Sequence, residues 1–286
     1  MGDSRLRLSR TGSSIFRSVL SLVLLSVIVF PLFWLFVAAF KSQADIQLIP
    51  VRWLPEQPTL EAFGAVWLDR TGTGAMWTRY FLNTILVSIV TTTIVVAFGT
   101  MIGYGLARYR LPGSSFVLTV LLLAQLFTGP ALMIPVYVVM ARIGLHNTLT
   151  GLMLVYVVFQ TPFAAWLSYS NFQNLPRELE QAAAIDGCSP IQAFLMVTLP
   201  LSRIGVTTVG LMSLLLTWSE YPFAVALLET TEKLTVSIGL ARFITAFNVY
   251  WNQMAAASII IAVPVLAILI FTQRYFIQGL MAGSEK

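Results

Sequence analysis

Charge is what this chain has least of. Only 10% of its 286 residues are Asp, Glu, Lys or Arg, against 57% hydrophobic, and the mean hydropathy is +0.83. Soluble domains carry about 25% charged residues, so water cannot solvate the bulk of this chain and lipid must. There is one cysteine, Cys188, and one histidine, His146. A single thiol excludes an intrachain disulfide. A single imidazole excludes a histidine-cluster metal site and argues against a histidine-based catalytic triad, which leaves His146 as a solvated turn residue in GLHNT. No G-x-x-x-x-G-K-[ST] phosphate loop occurs, so the chain is expected to bind no nucleotide and no other cofactor by itself. The net charge of +5 comes from basic residues at the ends of apolar runs. They form no stripe interleaved with exposed aromatics, so nucleic acid is not an expected partner. Internal repeats and low-complexity segments are also missing.

What is abundant is long apolar runs. A bilayer crossing needs about 20 apolar residues, and runs of that order cover 15–40, 80–106, 115–140, 149–172, 204–228 and 254–276. The fold class expected is therefore all-α, a polytopic membrane protein with six transmembrane helices. The first run is too long for a signal-peptide core and lacks a small-residue cleavage site, so it reads as a retained span. With the N-terminus inside, ten of the seventeen basic residues fall on inner segments: Arg5, Arg7, Arg10, Arg17, Arg108, Arg110, Arg177, Arg203, Arg274 and Lys286. That bias places both termini and the 173–203 loop in the cytoplasm. The boundaries that follow are a cytoplasmic tail at 1–14, a transmembrane body at 15–276 and a second tail at 277–286. Within the body, 41–79 is an outer loop rich in Pro and Trp, with a short helix expected near 60–67. Pro130, Pro135, Pro162 and Pro264 are expected to bend spans, and Gly99 with Gly103 gives the spacing of a close helix contact.

The 174–200 stretch, NLPRELEQAAAIDGCSPIQAFLMVTLP, carries helix punctuation of its own. Pro176 fits a first helical turn, and Glu178 and Glu180 follow at the positive end of the helix dipole. Ala182 to Ala184 make a smooth helical face. Gly187 supplies a left-handed stop, Ser189 and Pro190 an N-cap and first turn for a second short helix, and Pro200 a second stop. The reading is helix, sharp turn, helix, with a knob-like tip of small side chains.

These residues resemble the EAA loop of the membrane permeases of binding-protein-dependent ABC importers. Gln181, Ala182 and Ala183 fill the triplet, Gly187 the glycine, and Val197, Leu199 and Pro200 the aliphatic-x-Leu-Pro ending. LGLMLVYVVFQTPFAAW, TWSEYPFAVALL, WNQMAAAS and QRYFIQGLMAGSEK further resemble the carbohydrate-uptake, MalG-like branch. The resemblance implies a non-enzymatic permease subunit of the bacterial inner membrane, importing a mono- or oligosaccharide. It also implies the partners: a second homologous permease, a cytoplasmic ATPase dimer that binds the ATP and Mg, and an extracytoplasmic solute-binding protein. Glu178, Gln181, Ala182, Ala183, Asp186, Gly187, Leu199 and Pro200 are then the expected ATPase-coupling residues. Gln181 departs from the pattern, because the family's glutamate at that position pairs with a basic residue of the ATPase. An amide keeps a neutral hydrogen bond but loses the charge-assisted part, and Glu178 lies on the same helix face.

Within the spans, Glu220 stands out. An ionisable side chain there costs on the order of 2.5 kcal/mol or more unless it meets water or a partner. Asn83, Gln125, Thr128, Gln160 and Trp218 join it as substrate-pathway candidates, offering amides for sugar hydroxyls and an aromatic face for C–H surfaces. The same machine importing glycerol phosphate, a polyol or a polyamine stays open on this evidence. An ion-coupled carrier predicts an inverted repeat, which is missing. The intramembrane polar set argues against a non-transporting scaffold.

Overall fold

In lipid every backbone polar group needs an internal partner, and helix supplies it residue by residue. The computed structural model describes residues 3–67, 74–109, 112–124 and 129–284. Among them the architecture is all-helical, apart from one isolated bridge between Ile244 and Val249. The chain divides into two compact units, one of residues 1–75 with 243–262 and one of 76–242 with 263–286.

The first unit holds α1 (Asp3–Ala39), α2 (Gln43–Ile46) and α3 (Glu61–Trp67). The basic N-terminal tail continues α1 as helix rather than forming a separate segment. Large apolar side chains of α1, among them Leu22, Val27, Ile28 and Leu32, stay exposed, as a lipid-facing helix requires. The loop after α1 folds around Lys41, whose ammonium sits 4.7 Å from the Trp34 ring and donates to the Arg52 carbonyl. Trp53 packs edge-on against Trp34 at 5.7 Å. The short helix expected in this loop is α3.

The second unit begins with α4 (Gly74–Arg108), α5 (Ser114–Ala124), α6 (Gly129–Arg142) and α7 (Leu149–Gln173). There follow α8 (Glu178–Ile185), α9 (Pro190–Ala193), a π-helical turn at Phe194–Thr198, α10 (Leu199–Leu201) and α11 (Arg203–Ser219). The remaining helices are α12 (Pro222–Leu227), α13 (Val236–Ala241) and α14 (Trp251–Ser284), the last of which runs through both units. The C-terminal tail is thus helical as far as Ser284.

By length and apolarity, four helices among the described residues can cross a membrane: Ser18–Ala39, Met76–Arg108, Leu149–Gln173 and Trp251–Thr272. The pair Pro190–Leu201 and Arg203–Ser219 passes together but bends by 79° at Ser202. The expected 115–140 run is α5 and α6, separated by residues outside the described set, and Gln125 and Thr128 lie among those. The expected 204–228 run is not one helix either. Glu220 is extended at ψ 127°, and Pro222, which has no N–H to continue a helical ladder, starts α12.

Pro135, Pro162 and Pro264 lie inside helices as expected, whereas Pro130 falls in the first turn of α6, where a missing donor costs nothing. The glycine spacing has a direct counterpart in packing. A Cβ on Gly99 would come within 2.5 Å of the Ala164 Cβ, and one on Gly103 within 2.7 Å of the Ala165 carbonyl oxygen and the Tyr169 amide nitrogen. The backbones of α4 and α7 meet there, with Val95, Ala164 and Val209 forming a buried core beside the contact.

Candidate functional site

The 174–200 segment folds as its punctuation dictates, with two shifts. Pro176 precedes the first turn, because Arg177 is the N-cap of α8 and its carbonyl already accepts from Gln181 at 3.1 Å. Pro200 does not stop the second helix. Its ring would strike the carbonyl four residues back in a regular α-helix, and the wider π turn at Phe194–Thr198 leaves room for it. The helix runs on to Leu201 and breaks at Ser202.

Between these ends the turn closes with two bonds that need a left-handed residue. Cys188 N donates to the Ala183 carbonyl at 3.0 Å and Gly187 N to the Ala184 carbonyl at 3.1 Å, with Gly187 at φ +90°. This pattern is a Schellman stop. Ser189 then caps α9 in a reciprocal box: its amide donates to Gln192 Oε1 at 2.8 Å and its Oγ accepts from Gln192 N at 3.4 Å.

Of the expected coupling residues, Glu178, Gln181, Ala182, Asp186 and Gly187 are exposed, as are Ile185 and Ile191 beside them. Ala183 is buried and faces the protein. Leu199 is half-buried, and Pro200 is exposed. The outer surface of the tip is therefore made of small and aliphatic side chains, with Gln181 and the carboxylates Glu178 and Asp186 among them.

Sequence reasoning read Glu180 only as a dipole residue, and the structure gives it a larger part. Its Oε1 accepts from Arg108 Nε at 2.7 Å and from Thr198 Oγ1 at 2.8 Å, and Oε2 accepts from Tyr104 Oη at 3.3 Å. Arg108 also donates from Nη2 to the Leu175 carbonyl at 3.2 Å, and Arg177 Nη2 to the Ala107 carbonyl at 2.9 Å. The Arg108 side chain is only 6% exposed and that of Glu180 17%. Removing either partner strands a charge, which costs about 3–5 kcal/mol when such a pair is buried. Around it lies a groove of 290 Å³ lined by Tyr104, Arg108, Tyr109, Gln181, Cys188 and Pro190, among others. Tyr104, which lines the groove, packs against Phe172 and Phe194.

The pathway candidates are distributed through the unit. Glu220 meets partners within the protein: its carboxylate accepts from Phe223 N at 2.8 Å, Ala224 N at 3.1 Å and the Tyr156 hydroxyl. It is thus the side-chain cap of α12, tied to α7. Gln160 bridges α7 to α11, donating to Thr217 Oγ1 at 2.9 Å and accepting from Ser213 Oγ at 2.7 Å. Asn83 fastens α4 to the segment before α13, donating to the Glu232 and Leu234 carbonyls at 2.9 Å. Trp218 is buried edge-on to Phe81, and its Nε1 has no acceptor among the described residues. His146 lies in the turn before α7, 3.5 Å from Glu229.

Residues 99–281 match the family described as "Binding-protein-dependent transport system inner membrane component". The chain belongs to that family. Permeases similar to it along nearly their whole length include the diacetylchitobiose uptake system permease protein NgcG of Streptomyces coelicolor, 32% identical over 92% of this chain and 86% of that one. The trehalose transport system permease protein SugB of Mycobacterium tuberculosis is 27% identical over 94% and 96%. In fold, this permease is similar to a chain of a bacterial ABC transporter involved in the import of the acidic polysaccharide alginate, with a TM-score of 0.80 at 23% identity over 94% of this chain and 98% of that one. ATP hydrolysis in such importers belongs to a separate subunit, so this permease is a multi-pass membrane component and not an enzyme.

Proposed function

We propose that this permease is one of two half-pores of an ATP-driven sugar importer of the bacterial inner membrane. A cytoplasmic ATPase dimer, which holds the ATP and Mg, docks on the α8 to α9 tip, and an extracytoplasmic binding protein delivers a mono- or oligosaccharide. Six spans, both termini inside, complete the reading: the four long helices, the α5 and α6 pair, and α11 with its elbow. The observation that carries it is the tip itself, small, exposed and rigidly stopped at Gly187, in a chain whose family moves solutes received from binding proteins. Relatives named for diacetylchitobiose, trehalose and sulfoquinovosyl glycerol transport make the carbohydrate class the cargo.

Gly187→Leu tests it. None of the described residues lies within 4 Å of a Cβ at Gly187, so the new side chain would project from the tip toward a partner. The left-handed conformation adds a penalty of about 1–2 kcal/mol, and 1.4 kcal/mol is about tenfold in binding. The permease should insert normally while ATPase co-purification falls about tenfold or more. Gln181→Glu should hold or strengthen assembly by restoring the carboxylate at the first position of the triplet. Unchanged co-purification and ATP hydrolysis in Gly187→Leu would remove the tip from the coupling path.

A further inference from the structure

A docked ATPase can push only on the outer surface of the tip, yet the pore is made by the long helices. Besides the continuity of the chain into α7 and α11, a side-chain connection between them lies at the end of α4. Three donors converge on the Glu180 carboxylate: Arg108 from the last turn of α4, Tyr104 one turn earlier, and Thr198 from the π turn; Arg108 in turn donates to the Leu175 carbonyl just beyond the end of α7. Arg177 closes the same seam from the other side through the Ala107 carbonyl. The loop is thereby pinned to the end of α4 through α8 and the residues just before it, and Thr198 ties the π turn to the same carboxylate. On α4 the Gly99 and Gly103 contact with Ala164, Ala165 and Ser168 begins little more than one turn away.

We propose that Glu180 is the positioning residue of a latch, paired with Arg108, that makes the loop and the cytoplasmic half of α4 one rigid body and carries the ATPase stroke into α4 and α7. The proposal rests on the coupling role of the tip argued above. Glu180 touches no partner in this scheme, since its carboxylate is turned inward and Gln181 is the residue exposed beside it. Docking and transmission therefore belong to adjacent residues on one short helix and are separable by substitution.

The test uses the complete importer in lipid nanodiscs, with Cys188→Ser and spin labels at Met101→Cys on α4 and Leu179→Cys on α8, both exposed positions. With Glu180 intact, the distance distribution between the labels should be narrow and identical in nucleotide-free and ATP-vanadate-trapped states. In Glu180→Gln, an isosteric change that removes the charge, ATPase co-purification should stay at the wild-type level. The distribution should broaden and shift between the two states, because the tip moves without α4. Arg108→Lys keeps the charge but loses the second donor to Leu175, and it should broaden the distribution less. If Glu180→Gln fails to insert, Arg108→Lys carries the test alone. An unchanged, narrow distribution in the variants overturns the latch, and so does a loss of ATPase binding equal to that of Gly187→Leu. Failure of the docking reading looks different, because Gly187→Leu would then bind ATPase normally.

Discussion

Glu220 shows how one side chain settles a kink. A carboxylate at a break between two apolar helices is expensive unless it is fully used, and here both oxygens accept, one from Phe223 N and the other from Ala224 N and Tyr156. Glutamine cannot reproduce this, because one of its two positions becomes a donor facing backbone N–H. Glu220→Gln should therefore lose about 1–2 kcal/mol, in the range of a lost helix cap. Glu220→Leu leaves three donors without an acceptor at about 1–3 kcal/mol each. Thermal unfolding in detergent should rank wild type above Gln and Gln well above Leu, with uptake following the same order. Equal melting for the two variants would mean that the cap carries no weight. The sequence showed that Glu220 needed a partner but not which one, since Tyr156 lies far away in the chain and α12 was hidden inside an apparent span. Glu180 was harder still. Its bond to Arg108 joins residues that no local pattern connects, so its charge looked like dipole compensation.

At the scale of elements, what was legible was local chemistry. Gly187, Ser189 and Pro190 act on their immediate neighbours, and their roles follow from backbone geometry that any context preserves. The same holds for the Gly99 and Gly103 spacing, whose contact surface the structure supplies. What was not legible was continuity. The 204–228 run is as apolar as a span, yet Pro222 breaks it, and Pro200 sits in a helix that continues because a π turn makes room. The glycine seam gives a paired prediction. Gly103→Ala places a Cβ against backbone atoms of α7 and should destabilise by about 1–3 kcal/mol as overpacking. Gly105→Ala meets none of the described residues within 4 Å and should be neutral or stabilising by about 0.5–1 kcal/mol, since it relieves the entropy cost of a helical glycine. The melting temperature of Gly103→Ala should fall while that of Gly105→Ala holds or rises. A parallel fall would show that α4 tolerates no side chain on either face.

For the whole molecule, orientation is the quantity to measure. If the loop is inside, Cys188, half-buried at the edge of the groove, should react with a membrane-impermeant maleimide in inside-out vesicles and stay unlabelled in intact cells. Labelling from the outer side would invert every assignment made from the distribution of Lys and Arg. The α4 and α7 seam also bears on how the chain is made. Chains leave the ribosome at about 5–20 residues per second, so α4 is in the bilayer for seconds before α5, α6 and then α7 follow. Until then its groove of glycines faces lipid with nothing to fill it, and Arg108 waits for a carboxylate not yet translated. A nascent chain stopped before Leu149 should accordingly be a substrate for membrane quality control, while one stopped after Leu201 already contains both halves of the seam and should survive.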